Sequence, residues 1–265
     1  MKKLLLASLL ALFTCSFAIA GSPPGRPNLG GLQLIAELPE ELPRRAMGLA
    51  YDGKKLWVAV YQGQGRYATL EPSSLLWTIS SDAQQHRTIS KLSEPFASPG
   101  AICFANGVLW VAGAYGESFG SIDLGDWKIQ RMFKGKQREE ATARQFYSSM
   151  AFDGSHLWIA WHWFRYDLPV SQTQLLLKVD PETGKVVSEY AAPPGNSSDG
   201  THGLTWDGSK LWHAKDDGLS SIDPSTGQVT AKYTLPRVKR PSGLAWDGQA
   251  LWIAEFDGKI WRLPL

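Results

Sequence analysis

The densest run of chemically capable side chains in this chain is Trp161-His162-Trp163-Phe164-Arg165-Tyr166-Asp167. Aromatic faces beside a guanidinium and a carboxylate suit a sugar ring, a peptide or a cation, because stacking, cation–π contact and charged hydrogen bonds act together there. Tyr61, Arg66, Tyr115, Tyr147 and Asp216 have the same character. With Trp161, His162, Trp163, Arg165 and Tyr166 they form the candidate ligand-binding set. The bland alternative is a segment folded back on itself, with Trp161 and Trp163 covering a sheet rim. Lys215 and Glu255 make either a structural ion pair or a general acid/base pair, with His202 as a third candidate catalytic group. His162, His202 and a carboxylate such as Asp216 are a conceivable metal set. They are far apart in sequence and follow no metal-site spacing, so no metal and no other cofactor is expected. There is no phosphate loop, and no pair of cysteines beyond residue 20.

These residues hang on a repeat. Gly48-Leu49-Ala50-Tyr51-Asp52-Gly53 followed by Leu56-Trp57-Val58-Ala59 recurs as Ser149-Met150-Ala151-Phe152-Asp153-Gly154 with Leu157-Trp158-Ile159-Ala160. It returns as Gly203-Leu204-Thr205-Trp206-Asp207-Gly208 with Leu211-Trp212-His213-Ala214, and as Gly243-Leu244-Ala245-Trp246-Asp247-Gly248 with Leu251-Trp252-Ile253-Ala254. A fifth copy, Ala101-Ile102-Cys103-Phe104 with Leu109-Trp110-Val111-Ala112, carries Ala105-Asn106 in place of Asp-Gly. Two short apolar runs joined by a dipeptide that tolerates positive φ read as a β-hairpin. The Leu-Trp-Val/Ile-Ala run is apolar at successive positions, which predicts a strand buried on both faces, and the five Trp residues of that run are expected to pack blade on blade. Asp180-Pro181-Glu182-Thr183-Gly184 and Asp223-Pro224-Ser225-Thr226-Gly227 are turns in which Asp bonds backbone, Pro presets φ and Gly takes the left-handed position. An alternating strand follows each, giving four strands per unit.

The units start at residues 49, 102, 150, 204 and 244, spacings that suit four-stranded propeller blades. The last unit has room for three strands only (243–246, 250–254 and 259–263). The run Leu32-Gln33-Leu34-Ile35-Ala36-Glu37-Leu38-Pro39 supplies the fourth. The expected fold is therefore all-β: a five-bladed β-propeller over residues 32–265, closed by its N-terminal strand so that few sheet edges stay open. Longer loops on one face then bring the candidate residues toward the axis. Strand parity gives Lys215 and Glu255 the same place in adjacent blades, where they are expected to face each other.

Upstream, Lys2-Lys3, an apolar run from Leu4 to Phe17 and Ala18-Ile19-Ala20 have the form of a secretory signal over 1–20, followed by a Gly/Pro-rich linker over 21–31. Lipidation at Cys15 competes weakly, since Leu12-Phe13-Thr14 is a poor lipobox. The chain has 27 Lys+Arg against 25 Asp+Glu, and loss of Lys2 and Lys3 makes the two equal. A neutral chain is not drawn to nucleic acid by bulk charge. Cys103, in an apolar run, is expected to be a buried small hydrophobe with no disulfide partner. A periplasmic or secreted monomer without a transmembrane segment is the expectation.

The Gly-Leu-Ala-Trp-Asp-Gly-x-x-Leu-Trp and Asp-Pro-x-Thr-Gly units resemble bacterial propeller repeats of the glutamine-cyclotransferase-like and quinoprotein-like sort, over nearly all of residues 32–265. The resemblance implies a propeller and, through the five-bladed glutaminyl cyclases, a possible cyclotransferase chemistry. The cyclases open their first blade with Thr-Gln/Glu-Gly-Leu, where this chain has Arg45-Ala46-Met47-Gly48-Leu49. The leading expectation is a non-catalytic exported propeller that binds a protein, peptide or glycan on its loop face. The alternative is a glutaminyl-cyclase-like enzyme, or another small lyase or hydrolase, working at the axis.

Overall fold

The structure is a computed structural model that describes residues 27, 29–38, 46–60, 75–80, 85–89, 96, 99–113, 118–136, 144–164, 174–193, 202–216 and 218–265. Among these residues twenty strands form five four-stranded antiparallel sheets. Blade 1 is β2–β5 (Ala46–Tyr51, Lys55–Val60, Leu75–Ser80, Gln85–Ile89). Blade 2 is β6–β9 (Pro99–Ala105, Val108–Gly113, Ser118–Ile122, Ile129–Lys134). Blade 3 is β10–β13 (Arg144–Phe152, Leu157–Phe164, Gln174–Val179, Val186–Ala191). Blade 4 is β14–β17 (Gly203–Trp206, Leu211–Lys215, Gly218–Ile222, Val229–Thr234). Blade 5 is β18–β20 (Pro241–Trp246, Ala250–Glu255, Lys259–Pro264) closed by β1 (Gln33–Glu37), with Gln33 opposite Arg262. The innermost strands β2, β6, β10, β14 and β18 touch in ring order. The expected five-bladed propeller, with its last blade completed from the N-terminal side, is the fold observed. No helix of the described residues is long and apolar enough to cross a membrane.

The repeat explains the blades. Second strands such as β3 and β19 are buried along nearly their whole length, because each lies between two neighbouring sheets. One core cluster joins Leu49, Val58 and Trp77 of blade 1 to Trp252 and Ala254 of blade 5. Others join blade 2 to blade 3 and blade 4 to blade 5 in the same manner. Outer strands β9 and β17 instead alternate half-buried and exposed residues, as an outer edge should.

Each Asp-Gly copy does more than turn the chain. Asp207 Oδ1 accepts from the backbone N–H of Ser209 and Lys210, and Oδ2 accepts from Trp212 Nε1 at 2.6 Å. The bonds recur from Trp57 to Asp52, Trp158 to Asp153 and Trp252 to Asp247, at 2.7, 2.8 and 2.7 Å. One carboxylate thus caps the hairpin and satisfies the only polar atom of the blade-packing Trp. The following glycine takes φ of 93–99° in these four copies, while the departing blade uses Asn106 and Gly107 at 52° and 81°. Burial pushes the Asp52 carboxyl up, but hydrogen bonds from Trp57, Lys55 and Lys54 prevail and hold it below its usual value.

One expectation needs correction. Residues Trp161–Phe164 lie in β11 rather than in a loop. The hairpin β10–β11 runs long because cross-strand pairs Tyr147↔Trp161, Phe146↔His162 and Gln145↔Trp163 continue the ladder.

Candidate functional site

A recurrent irregularity sets the geometry at the loop face. The first strand of blades 1, 2, 3 and 5 shifts register by one residue, at Met47, Gly100, Ser148 and Ser242. His202 holds the equivalent position in blade 4, just ahead of Gly203, which pairs with Ala214. Here the ring of His202 meets that of His213 on the next strand, with His202 Nδ1 2.8 Å from His213 Nε2. His213 replaces the Val58, Val111, Ile159 and Ile253 of the other blades.

Strand parity fixes what faces what. Leu211, His213 and Lys215 share the face of β15 that packs on blade 3, where Leu211 joins Trp158 and Leu176. From blade 3, His162 and its cross-strand partner Gln174 face them. Lys215 Nζ donates to Gln174 Oε1 at 2.6 Å, and the rings of His162 and His202 stack 5.7 Å apart, with Phe146 stacked on the far side of His162 at 5.2 Å. The result is a polar cluster of three His, one Lys and one Gln between two blades, every member less than a tenth exposed.

Burial makes His202 and His213 neutral. His202 is driven well below the usual imidazole value by burial first, then by His213, His162 and Lys215. His213 is pushed down to about 3 by burial and by Lys215, against a smaller upward pull from Asp216. Asp216 itself sits at φ 55°, a left-handed backbone unusual for a residue with a side chain, in the turn directly after Lys215. A cleft of about 230 Å³ opens onto the cluster. Its walls are Pro193 from the end of blade 3 and His213, Lys215, Ser220, Lys232 and Thr234 from blade 4. Two ammonium groups, a neutral imidazole and two hydroxyls are donors suited to an anionic oxygen group such as a carboxylate.

The sequence-derived candidates divide. Tyr61, Arg66, Tyr115, Arg165 and Tyr166 lie outside the described residues. Trp161, Trp163 and Tyr147 are buried toward blade 2, with Trp161 and Trp163 rings 4.8 Å apart and Tyr147 edge-on to Phe119. That is the rim-covering arrangement rather than an open aromatic patch. His162, His202, Lys215 and Asp216 meet at the blade 3–blade 4 cluster, as described. Lys215 and Glu255 do not face each other. Equivalent positions in a rotationally repeated fold point the same way around the ring, so Lys215 faces blade 3 and Glu255 faces blade 4, with Leu251 and Ile253. Glu255 accepts from the backbone N–H of Lys239 and from Trp261 Nε1, both at 2.7 Å, and so ties the chain leading into β18 to β20.

Two contributors escaped the sequence reading. His213, inside the second strand of blade 4, is buried like its counterparts in the other blades, and it is also the partner of His202 and a wall of the cleft. Gln174 went unremarked. The available signal was departure from the repeat: a His among Val and Ile, and a Lys where other blades have Val60, Gly113, Trp161 and Glu255. Gly116-Glu117-Ser118-Phe119-Gly120 has the letters of a serine elbow, but Ser118 opens β8 opposite Lys134 and no helix follows it. Cys103 is buried, and burial pushes its thiol far up, away from nucleophile chemistry. No group of three His, Cys, Asp or Glu side chains among the described residues is arranged to hold a metal.

The architecture defines the class, a five-bladed β-propeller with a polar inter-blade cleft. No known family profile matches the chain, and no curated protein matches it. Among solved structures, a catalytically inactive variant of virginiamycin B lyase from Staphylococcus aureus with quinupristin is similar at 17% identity and a TM-score of 0.46, over 88% of this chain and 99% of that one. The WD40 β-propeller domain of Doa1 is similar at 12% identity and a TM-score of 0.46, over 88% and 96%. Both are propellers, and at such identities and scores neither carries an argument about activity.

Proposed function

We propose that this protein is an exported, non-catalytic propeller that binds a peptide or glycan through a carboxylate, seated in the cleft between blades 3 and 4. The observation that carries this reading is the placement of Lys215. Its ammonium, bonded to Gln174, lies in the wall of a cleft of about 230 Å³ beside Lys232, Ser220 and Thr234. A nearly buried cation at a position where the other blades carry Val, Gly, Trp or Glu is expensive to keep, which favours a functional reason for it. The leader-like 1–20 segment supports export to the periplasm or beyond.

The test is a thermal-shift screen of the purified protein with free-acid peptides and uronate oligosaccharides, set against their amides and neutral sugars. A ligand that binds only the native state raises the melting temperature by mass action. Stabilisation by the acids alone, lost in Lys215→Met, supports the reading. Equal shifts with amides, or none with any acid, refute it.

One observation favours a second reading. His213 and its partner His202 place two imidazoles at the same cleft, where the other blades carry only packing residues at the His213 position. A cyclase-like enzyme of the kind the repeats resemble would release ammonia from peptides with N-terminal Gln, and would lose that activity in His213→Val.

A further inference from the structure

The other end of the axis carries a second feature. Four of the innermost strands end on an aromatic residue, Tyr51, Phe152, Trp206 and Trp246, and the fifth carries Phe104 next to its last residue. All five are partly exposed, and all five line one cavity of about 100 Å³ on the axis, with Ala50, Ala151 and Ala245 at its wall. The result is a shallow well bordered by five aromatic side chains, each also packed against the core between its blade and a neighbour.

Its electrostatics have a sign. In four blades the next residue is an Asp: 52, 153, 207 and 247. Their visible cationic neighbours stand farther out. Lys178 approaches Asp153 and Arg262 approaches Asp247 from third strands β12 and β20, at 3.8 and 3.5 Å, and both lie over Trp rings of the second strands. Lys55 lies over Trp57 on β3. None of the four Asp lines the well itself, but each follows a lining aromatic directly in the chain and holds its carboxylate on the Trp of the second strand. The field reaches the rings: after burial, the Asp247 and Asp52 carboxylates are what push the Tyr51 hydroxyl above its ordinary value. The sheets pair each innermost strand on one side only, so its N–H and C=O groups on the axial side also face the well.

We propose that this axial well, framed by the five rings and backed by a carboxylate collar, is a binding site for a quaternary or alkylated ammonium group. Such a cation has a diffuse charge that gains from several ring faces at once and sheds its water readily. A neutral group of the same shape gains the contact area but not the cation–π term, and an anion is repelled by the collar.

The site is independent of the loop-face cleft, so either proposal can fail alone. The test is a fluorescence titration of the purified protein with choline, in parallel with 3,3-dimethylbutan-1-ol, its uncharged isostere; Trp206 and Trp246 report directly. The expected result is a saturable change with choline and about tenfold weaker binding of the alcohol. Trp206→Leu is expected to weaken choline by about the same factor while leaving the Lys215-dependent acid binding intact. Should that variant fail to fold, Phe152→Leu makes the same comparison, and the choline-to-isostere ratio needs no variant. Equal binding of the two, no saturation with choline, or a folded Trp206→Leu that binds choline unchanged each overturns the proposal. Flotation with phosphatidylcholine vesicles separates the two sources of the group: co-flotation identifies a lipid headgroup, and choline binding without it a free solute.

Discussion

The two faces of this propeller are built from the same repeat and treat it in opposite ways. On the turn face, four blades repeat one device: an Asp that caps its hairpin and holds the indole of the second-strand Trp. On the loop face the same strands diverge at one equivalent position, which holds Val60, Gly113, Trp161, Lys215 and Glu255. The contrast separates what the fold requires from what it permits. Where five blades agree, the residue is explained by packing and capping; where one departs, packing alone does not explain it, and a buried polar group must find partners. At Lys215 and His213 those partners come from a neighbouring blade.

That contrast can be broken at either face. The largest effect is expected from Gly227→Ala in the outer turn of blade 4. Gly227 has φ 70°, and a methyl there would run into the Tyr190 ring of blade 3. Left-handed strain and overpacking together are expected to cost about 3 kcal/mol in a denaturant melt. Next comes Asp207→Ala. It removes two backbone caps and the acceptor of the buried Trp212 indole, for about 2–3 kcal/mol. If the turn face is the structural one, Asp153→Ala in blade 3 should cost a similar amount.

The acid limb tests the loop face. His202 and His213 are neutral when folded and take up protons at ordinary imidazole values when unfolded. Folded values below the unfolded ones mean that their contribution to stability is complete above about pH 6.5 and is lost as the pH falls toward the folded values. For His213 that window runs down to about pH 3. Each histidine adds a slope of up to about 1.4 kcal/mol per pH unit. Melts from pH 7 to pH 4 should steepen accordingly, and His213→Val, the residue other blades carry, should flatten the slope. The smallest stability effect is expected from Lys215→Met: near zero or slightly stabilising, since an apolar chain of similar length replaces a buried cation. A large loss of stability there would give Lys215 the same structural rank as Asp207 and erase the distinction between the faces.

How much of this was legible in the sequence follows from the same physics. The Asp-Gly, Leu-Trp and Asp-Pro-x-Thr-Gly units are local signals, so strand count, blade boundaries and the closure by β1 could be read from them. His202 and Lys215 were recognised as capable groups, yet Lys215 was matched to Glu255 by position. That match failed because rotational repetition sends equal positions in the same direction. The pairing of His202 with His213 depends on how the chain enters β14, and Lys215 with Gln174 on contact between blades; neither leaves a trace in local periodicity. Trp161 and Trp163 were read as part of a candidate binding cluster, but their depth is set by the extension of β10–β11 beside blade 2, which the sequence does not reveal.

The closure of blade 5 also orders events in time. β1 lies near the N-terminal end of the described chain and its partner β20 near the C-terminal end, so the first strand made must wait for the last. Until then Ala36 and Leu38 lack the Trp252 and Ile260 of their core cluster, and the ring stays an open arc with two unsatisfied ends. Contacts between such distant parts of a chain form slowly. The final step of assembly is therefore a single zipper event that converts a linear stack into a ring, and the same event, run backward, is the natural first step of its unfolding.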